Sequence, residues 1–531
     1  MTSPSASLPI SAFLDEAVRI VGQDAVLTTE GDRAYYGNDL FFWDERVDPL
    51  AVVRPTTREQ VPAIVRAAVS HDVAIYVRGG GMSYTNGYGP ALTRSIILDL
   101  GGLNRIIEVD PLNRFIALEA GCTWAQVVQA LAPHNMVVDF APPLSGSHST
   151  VGGALAQNVP GGMQGVLGLE LVRANGDVVR TGSWAARING KPFTRNYGPD
   201  LTGLFLGDNG TFGIKLAAGL HLKHRAKAQV YASFAFETYE AMAATMIDLS
   251  PYDFITRRTG LDPYESQSIA KVSMKDAVAA AAKIAGQERG LTAGLRAMAD
   301  MAAGGLDFMA GVKWSLHLKV ESHSERAAED GIAIVKTIAA KRGREFPAIL
   351  PRAREAIGFS IRKFLGKDGE RWIATSSMWP LGRAVEVAKA TEAFFVTHKA
   401  AMDRHKIIHS YVTNFGQHYF LSEPCFYWND KLSDLHLRAL SAEEAARFKS
   451  LSGAAETRAM VRTLRDKLRD LFFDMGAVHI QIGGFYDFTK AIEPTTLRLL
   501  EDIKGTLDPT SHLSPGKLGG LKSKKVQNHE L

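Results

Sequence analysis

The chain has 531 residues, of which 46% are hydrophobic and 22% charged, a composition that argues against a disordered or fibrous protein. A formal net charge of only +4 argues against the clustered basic face of a nucleic-acid binder, and two distant cysteines, Cys122 and Cys425, with no CxxC argue against a zinc site or disulfide framework. Met1 to Pro9 lacks the charged and apolar regions of a secretory signal, and no run of about 18 apolar residues occurs, so the expectation is a cytoplasmic protein without a membrane span.

A length prior of about 100–200 residues per domain gives two to four domains. Residues 11–24 carry apolar residues at helical spacing, with Ser11 as cap, and lead to an aromatic and acidic loop ending in Asp44-Glu45-Arg46. AVVRP, from residue 51, is a short strand; Thr56 with Glu59 reads as a capping box opening a helix with Val61, Ile64, Val65 and Ala68 on one face. VAIYV (73–77) is a buried strand running into Arg78-Gly79-Gly80-Gly81-Met82-Ser83. SIILDL, RIIEVD and RFIALEAG follow as strands, then a helix from Thr123 to Ala132. In GLELVRANGDVVRTG two apolar strands flank Asn175-Gly176, a hairpin signal.

From about residue 226 the texture changes. VYASFAFET is a strand, YEAMAATMIDL a helix, and 265–303 an Ala-rich helical stretch. WSLHLKVES (314–322) with a helix from Glu325 to Arg342, then WIATSSMWP (372–380) with a helix from Val385 to His405, repeat a strand–helix order that predicts a ferredoxin-like unit. A helix over 441–474, a strand over 477–484 and a turn-rich end, LDPTSHLSPGKLGG, complete the chain, and the Lys522, Lys524, Lys525 run is read as a solvated tail.

The Gly79–Gly81 run leaves the backbone free to curl, so that successive N–H groups converge on one anion; diphosphate is the natural guest, with Arg78 and Ser83 as flanking donors. Taken alone it reads equally as a tight turn. No GxGxxG stands at a strand–helix junction and no GxxxxGK[ST] occurs, so a Rossmann turn and a P-loop lose support. In SHSTVGGALAQN (147–158) the small residues Gly152, Gly153, Ala154 and Ala156 leave room for a flat ring, and Asn158 offers a hydrogen bond to its edge.

In chain order, RPTTREQVPAIVRAA, VRGGGMS, SIILDLGGLNRIIEVD, EAGCTWAQV, STVGGALAQN, GLELVRANGDVVRTG, DLTGLFLGDNGTFGI and LDPTSHLSPGKLG resemble the FAD-binding domain of the vanillyl-alcohol oxidase and para-cresol methylhydroxylase (PCMH) superfamily. The resemblance covers about 51–220 and 505–519. It implies an α+β fold: a two-subdomain PCMH-type FAD domain from 1–225, a ferredoxin-like cap for the substrate from 226–470, and a C-terminal segment, 471–531, returning to the FAD domain. It implies that Arg78, Gly79, Gly80, Gly81, Met82 and Ser83 hold the diphosphate. Gly146, Ser147, Thr150, Val151, Gly152, Ala154, Asn158, Gly213 and Ile214 then lie along the ribityl chain and isoalloxazine, with Lys517 in the closing segment.

The sequence departs from the family in places. Met82 stands where many members attach FAD through histidine, and Ser147, His148 and Ser149 stand where others have a linking cysteine, so noncovalent FAD is expected. The phenol oxidases' tyrosine after the glycine loop is matched by Tyr88, with Tyr84 as competitor; their Tyr-Arg pair becomes Tyr486-Asp487, and their acid near the flavin, around Gly161 or Gly162, is missing. Phenol-oxidising members attach FAD through a cap histidine or tyrosine instead, and the strand similar to theirs, WIATSSMWP, offers Trp372, which again implies noncovalent FAD. The aromatic-rich cap segment FGQHYFLSEPCFYW offers His418 and Tyr419. Together with Tyr88, His479 and Tyr486 these are the candidates for catalysis. The 2-hydroxy-acid branch's GDGNLH-like histidine cluster is absent from GQHYFLS, so no metal is expected.

The reading is an FAD-dependent oxidoreductase acting on an alcohol or other C–H next to oxygen of a small aromatic or apolar substrate, reoxidised by oxygen or by a carrier protein or quinone. The alternatives are a D-2-hydroxy-acid dehydrogenase, with Arg257, Arg258 and Arg383 as carboxylate candidates, and a flavin-binding protein without turnover. Homodimers are common in the family; the sequence leaves the oligomeric state open.

Overall fold

The computed structural model describes residues 9–41, 47–140, 142–158, 163–265, 309, 311–352, 359, 364–366 and 368–523. Contacts divide the chain into two compact units, one formed by Met1–Arg225, Ser433–Ala445 and His479–Leu531, the other by Ala226–Leu432 and Ala446–Val478.

The first unit holds two sheets. In one, Val26–Leu27, Ala51–Val53, Ser95–Asp99 and Ala74–Arg78 lie side by side in that order; the last three are parallel. Parallel strands buried on both faces need unbroken apolar runs, which AVV, AIYV and SIILD supply. The helix Gln60–Ser70 packs Val61, Ile64, Val65 and Ala68, one face of a 3.6-residue period, into the same core as Ile75, Ile96 and Leu98. The far end of the chain joins this sheet: Ile75 N donates to His512 O and Ser514 N to Ile75 O, both at 2.8 Å. The second sheet is antiparallel, in the order Ile106–Asp110, Phe115–Glu119, Ile214–His224, Val166–Val172 and Val178–Arg180, with Met136–Val138 also on the long Ile214–His224 strand. Val166–Val172 and Val178–Arg180 form the hairpin expected around Asn175-Gly176, where Gly176 takes φ +81°.

Among the described residues, the second unit holds one antiparallel sheet of eight strands. Its first four strands in sequence, Ala228–Phe236, Ile255–Leu261, Trp314–Ser322 and Arg344–Phe346, stand in the order fourth, first, third, second, with helices Tyr239–Leu249 and Glu325–Ala339 in the crossovers, which is the ferredoxin-like arrangement. Ile408–Phe415 and Tyr419–Trp428 extend it as a hairpin; Arg371–Ala374 and Ser377–Pro380 pair with the outer edge of that hairpin.

Several local expectations change. The first helix is Ile10–Val21, preceded by Pro9 rather than capped by Ser11. The helix expected at Thr56 starts at Gln60: the Gln60 side chain accepts from Thr56 N (2.9 Å) and Thr57 N (3.2 Å), so glutamine, not the Thr56–Glu59 box, closes the turn. Residues 477–484 make no strand beyond a single bridge at Val478, because Gln481 and Gly483 take positive φ. The 441–474 helix breaks into Ala442–Phe448 and Ala455–Asp474, and WIATSSMWP into two strands at the buried Thr375-Ser376. Most of the 265–303 stretch, Asp44-Glu45-Arg46, Gly161, Gly162, Lys524 and Lys525 fall outside the described residues.

Candidate functional site

The Ala74–Arg78 strand ends where Gly79 and Gly80 lie against residues 148–150 and Gly81 against the Arg78 side chain. A Cβ on Gly79 would sit 2.2 Å from Thr150 Oγ1, and one on Gly80 1.8 Å from the His148 carbonyl oxygen. Gly81 takes φ +75°, a conformation that strains any L side chain. Gly80 is therefore required by a backbone-to-backbone approach, Gly79 by the Thr150 side chain and Gly81 by its left-handed backbone. Thr150 in turn caps the helix Val151–Gln157, accepting from Gly153 N at 3.3 Å, and a Cβ on Gly152 would meet Ala120 at 2.7 Å. Val151 and Ala154 are buried on that helix, while Asn158 ends it in the left-handed conformation with its side chain exposed.

The flanking residues brace the loop. The Arg78 guanidinium is buried among the rings of Tyr35, Tyr36 and Tyr88, at 4.7–5.7 Å, and Nη1 donates to Gly79 O at 3.3 Å beside Asp99. Ser83 Oγ accepts from Thr85 N and Gly87 N. Met82 is half-buried in the same turn. Tyr88 is buried with its hydroxyl directed at Asn38 O (2.5 Å) and Gly81 O (3.1 Å), and burial pushes its pKa up; a phenol so held is a strut under the loop and a poor base. Gly146 is buried and its carbonyl accepts from Ala125 N, Ser147 is exposed with Oγ 2.9 Å from His148 Nδ1, and burial lowers the His148 pKa.

A second set of loops in the same unit gathers around Asn209. Its Oδ1 accepts from Gln157 Nε2 (2.8 Å) and Gly483 N (3.1 Å). Gly207 and Gly210 take positive φ, a Cβ on Gly213 would meet Leu171 at 2.9 Å, and Ile214 begins the long central strand. Asp208 pairs with Lys215; Lys504 donates to Thr211 O, Leu513 O and Asp508, tying the C-terminal segment to this loop. Lys517 is buried against the Tyr76 ring, and burial pulls its pKa down to about 7 although Asp39 pulls the other way. His479 stacks on the buried Tyr486 at 4.1 Å and 15°.

Of the five catalytic candidates, Tyr88, His479 and Tyr486 belong to the first unit. His418 and Tyr419 belong to the second, at the turn of the Ile408–Phe415/Tyr419–Trp428 hairpin, where His418 is exposed and burial raises the Tyr419 pKa. Arg258, also there, donates to Tyr252 O and Ile255 O and keeps Nη1 buried without a hydrogen-bond partner. Arg383 is engaged with Glu386 and Met475 O.

The buried side-chain atoms of the first unit that lack a hydrogen-bond partner include Thr85 Oγ1, Ser149 Oγ, Gln157 Oε1 and Asn209 Nδ2. These lie on the segments that carry the glycine contacts. Closely approached backbone, donors and acceptors left over, and small residues beside them fit a dinucleotide. Gln157 and Asn209 were not picked out from the sequence. The available signal was an asparagine between Asp208 and Gly210, a residue type that tolerates positive φ, here φ 51°. Among the described residues no cluster of three or more His, Cys, Asp or Glu could hold a metal, and no helix is long and apolar enough to cross a membrane.

Residues 49–182 match the family model described as the FAD binding domain. Over 212 residues the chain is 31% identical to glycolate oxidase subunit GlcD of Bacillus subtilis, covering 38% of this chain and 43% of that protein. It is 32% identical over 222 residues to the 4-cresol dehydrogenase [hydroxylating] flavoprotein subunit of Pseudomonas putida, covering 38% of this chain and 40% of the relative. The matches thus span less than half of these relatives' length. In structure, p-cresol methylhydroxylase with substrate bound aligns with TM-score 0.71 at 19% identity, covering 96% of both chains. The 4-ethylphenol oxidase of Gulosibacter chungangensis, in its isoeugenol complex, aligns with TM-score 0.72 at 18% identity, covering 99% and 100%.

Proposed function

We propose that the protein is an FAD-dependent oxidoreductase that oxidises a C–H next to oxygen in a small aromatic or apolar substrate. Residues 49–182 match an FAD binding domain, in a chain with the p-cresol methylhydroxylase fold. The observation that carries the reading is the contact of Gly79 and Gly80 with residues 148–150, surrounded by buried polar atoms in want of partners. Bound FAD supplies a two-electron acceptor for a hydride. The residues of this chain bind and orient: the glycine loop and Thr150 offer backbone to the diphosphate, Arg78 and Tyr88 brace that loop, and Gly146, Ser147, Val151, Gly152, Ala154, Asn158, Gly213 and Ile214 line the rest of the cofactor. Lys517, a buried amine whose pKa burial lowers to about 7, stands in the closing segment of the same unit. The proton of the oxidised group passes to a base, for which His479, Tyr486, His418 and Tyr419 are the candidates; Tyr88, bonded to two carbonyls, is the weakest of the five.

Residues 226–470 then serve as the substrate domain and 471–531 as the returning segment, FAD is held without a covalent bond, and oxygen or a carrier accepts the electrons. A second reading, oxidation of a D-2-hydroxy acid, draws on the glycolate oxidase subunit and on the D-2-hydroxyglutarate dehydrogenase of Stutzerimonas stutzeri, 30% identical over 226 residues, and on the buried, unpaired Arg258 Nη1 as a carboxylate partner. Anaerobic titration of the yellow protein with a panel of alcohols, phenols and hydroxy acids separates them. Bleaching by phenolic or apolar alcohols is expected; bleaching by small hydroxy acids alone overturns the first reading in favour of the second.

A further inference from the structure

The Gln157–Asn209 amide pair has a definite polarity. The Gly483 backbone N–H donates to Asn209 at 3.1 Å, so the atom facing it is the oxygen and Nδ2 points elsewhere. Gln157 meets that same oxygen at 2.8 Å and must present its nitrogen, leaving Oε1 free to turn away. The pair is held from several sides. Asn209 N donates to Ala156 O at 2.9 Å, and Gly87 stands so close that its Cβ would fall 2.1 Å from Gln157 Nε2. What remains is one donor, Asn209 Nδ2, and one acceptor, Gln157 Oε1, both buried and both without a hydrogen-bond partner; Asn209 itself is only 4% exposed. Buried polar groups are rarely left unmade, so such a pair marks a ligand edge of the opposite pattern.

We propose that Gln157 and Asn209 read the pyrimidine edge of the flavin, Asn209 Nδ2 donating to a ring carbonyl and Gln157 Oε1 accepting from the neighbouring imide N–H. The inference rests on the FAD reading of this domain. A carbonyl beside an N–H is what a donor beside an acceptor recognises; a phosphate or a hydrocarbon satisfies neither. Adenine also offers a donor next to an acceptor. The flavin is favoured because the amides stand at the far end of the seven-residue Val151–Gln157 helix from Thr150, about 10 Å along its axis, while Thr150 is the residue that touches the glycine loop.

The test is equilibrium titration of the apoprotein with FAD, FMN and 3-methyl-FAD, for the parent, Gln157→Met and Asn209→Asp, each first checked for a parental circular dichroism spectrum and melting curve. Asn209→Asp keeps the oxygen that serves Gly483 and Gln157, tolerates the left-handed backbone, and replaces the donor with an anionic acceptor. The parent is expected to bind 3-methyl-FAD about tenfold more weakly than FAD, as for one lost hydrogen bond. Gln157→Met is expected to bind FAD about tenfold more weakly and to stop discriminating against the methyl group. Asn209→Asp is expected to bind more weakly and to lower the reduction potential of the bound flavin, and both losses persist with FMN. Parental affinity and potential in both folded variants overturn the proposal, as does equal binding of FAD and 3-methyl-FAD by the parent. Losses that vanish with FMN assign the pair to adenine and overturn it too. A parent that binds no flavin at all refutes the FAD reading instead.

Discussion

The two units bury polar groups in different ways. In the first, many are spent on backbone. Asn209 serves Gly483 N, Ser83 serves Thr85 N and Gly87 N, Asp39 serves Phe41 N and Asn86 N, and Lys504 serves two carbonyls. In the second, they meet side chain to side chain across strands: Ser233 with His317, Thr259 with Asn414, Asp262 with Ser410, Glu265 with Tyr427. Tyr239, Trp314 and Tyr411 likewise pack as a cluster, the first two stacked at 4.5 Å and 8°. The first unit is organised to fix loops, the second to weld a sheet to its helices. A loop held by its backbone can present main-chain groups to a ligand; a welded sheet supplies shape.

Substitutions chosen to break that contrast have unequal effects. The largest effect on FAD binding is expected for Gly80→Ala, whose Cβ has only 1.8 Å to a backbone oxygen that no rotamer change can move. The loop must separate from residues 148–150, and FAD binding falls by at least about 100-fold, roughly 3 kcal/mol, read as loss of yellow colour and of calorimetric affinity. Gly80→Ala protein that retains parental affinity means the loop contact is not part of the cofactor site. Next comes Tyr239→Ala in the second unit. It empties a fully buried ring position, with a cost of about 3–5 kcal/mol in denaturant titrations, while the FAD affinity of the folded protein is expected to stay unchanged. A parallel loss of FAD affinity erases the contrast by coupling the two cores.

The same difference decides what was legible in the sequence. A glycine run after a strand, a helix opening at Thr123, and Asn175-Gly176 are local: their geometry is dictated by residues within a few positions, and the helix start at Thr123 and the hairpin appear as expected. The ferredoxin-like unit was legible only in part: Ala228–Phe236 and Trp314–Ser322 lie in it, but its other strands, Ile255–Leu261 and Arg344–Phe346, carry no clear period in the sequence, and WIATSSMWP pairs with Tyr419–Trp428 instead. Polar contacts between distant segments were not legible. Nothing in HIQIGG announces that Gly483 will donate to Asn209, since that bond joins residues far apart in sequence. Arg78 looked like an anion donor because composition cannot tell that Tyr35, Tyr36 and Tyr88 will enclose it. Tyr88 looked catalytic for the same reason, its hydroxyl being committed to Asn38 and Gly81 only once the loop is closed.

The finest test of the contrast is electrostatic. Asp262 is buried in the second unit with the Glu265 carboxylate nearby. Burial pushes its pKa up to about 6, although Ser410 Oγ and Glu265 N both donate to its Oδ1. The folded value thus lies above the unfolded one of about 3.9. Below about pH 4 the group is protonated in both states and contributes nothing. Between 4 and 6 the native chain retains a proton that the unfolded chain has released, so stability falls as pH rises, and above 6 the full penalty is present. An asparagine side chain at this position keeps an oxygen for both donors and cannot ionise. Asp262→Asn is therefore expected to stabilise the protein by about 3 kcal/mol at pH 8 and to leave it unchanged near pH 4, measured by urea titration at the two pH values. A gain independent of pH, or a loss at pH 8, means that the side-chain pairs of the sheet accommodate the charge, and the second unit then handles buried ions as well as the first.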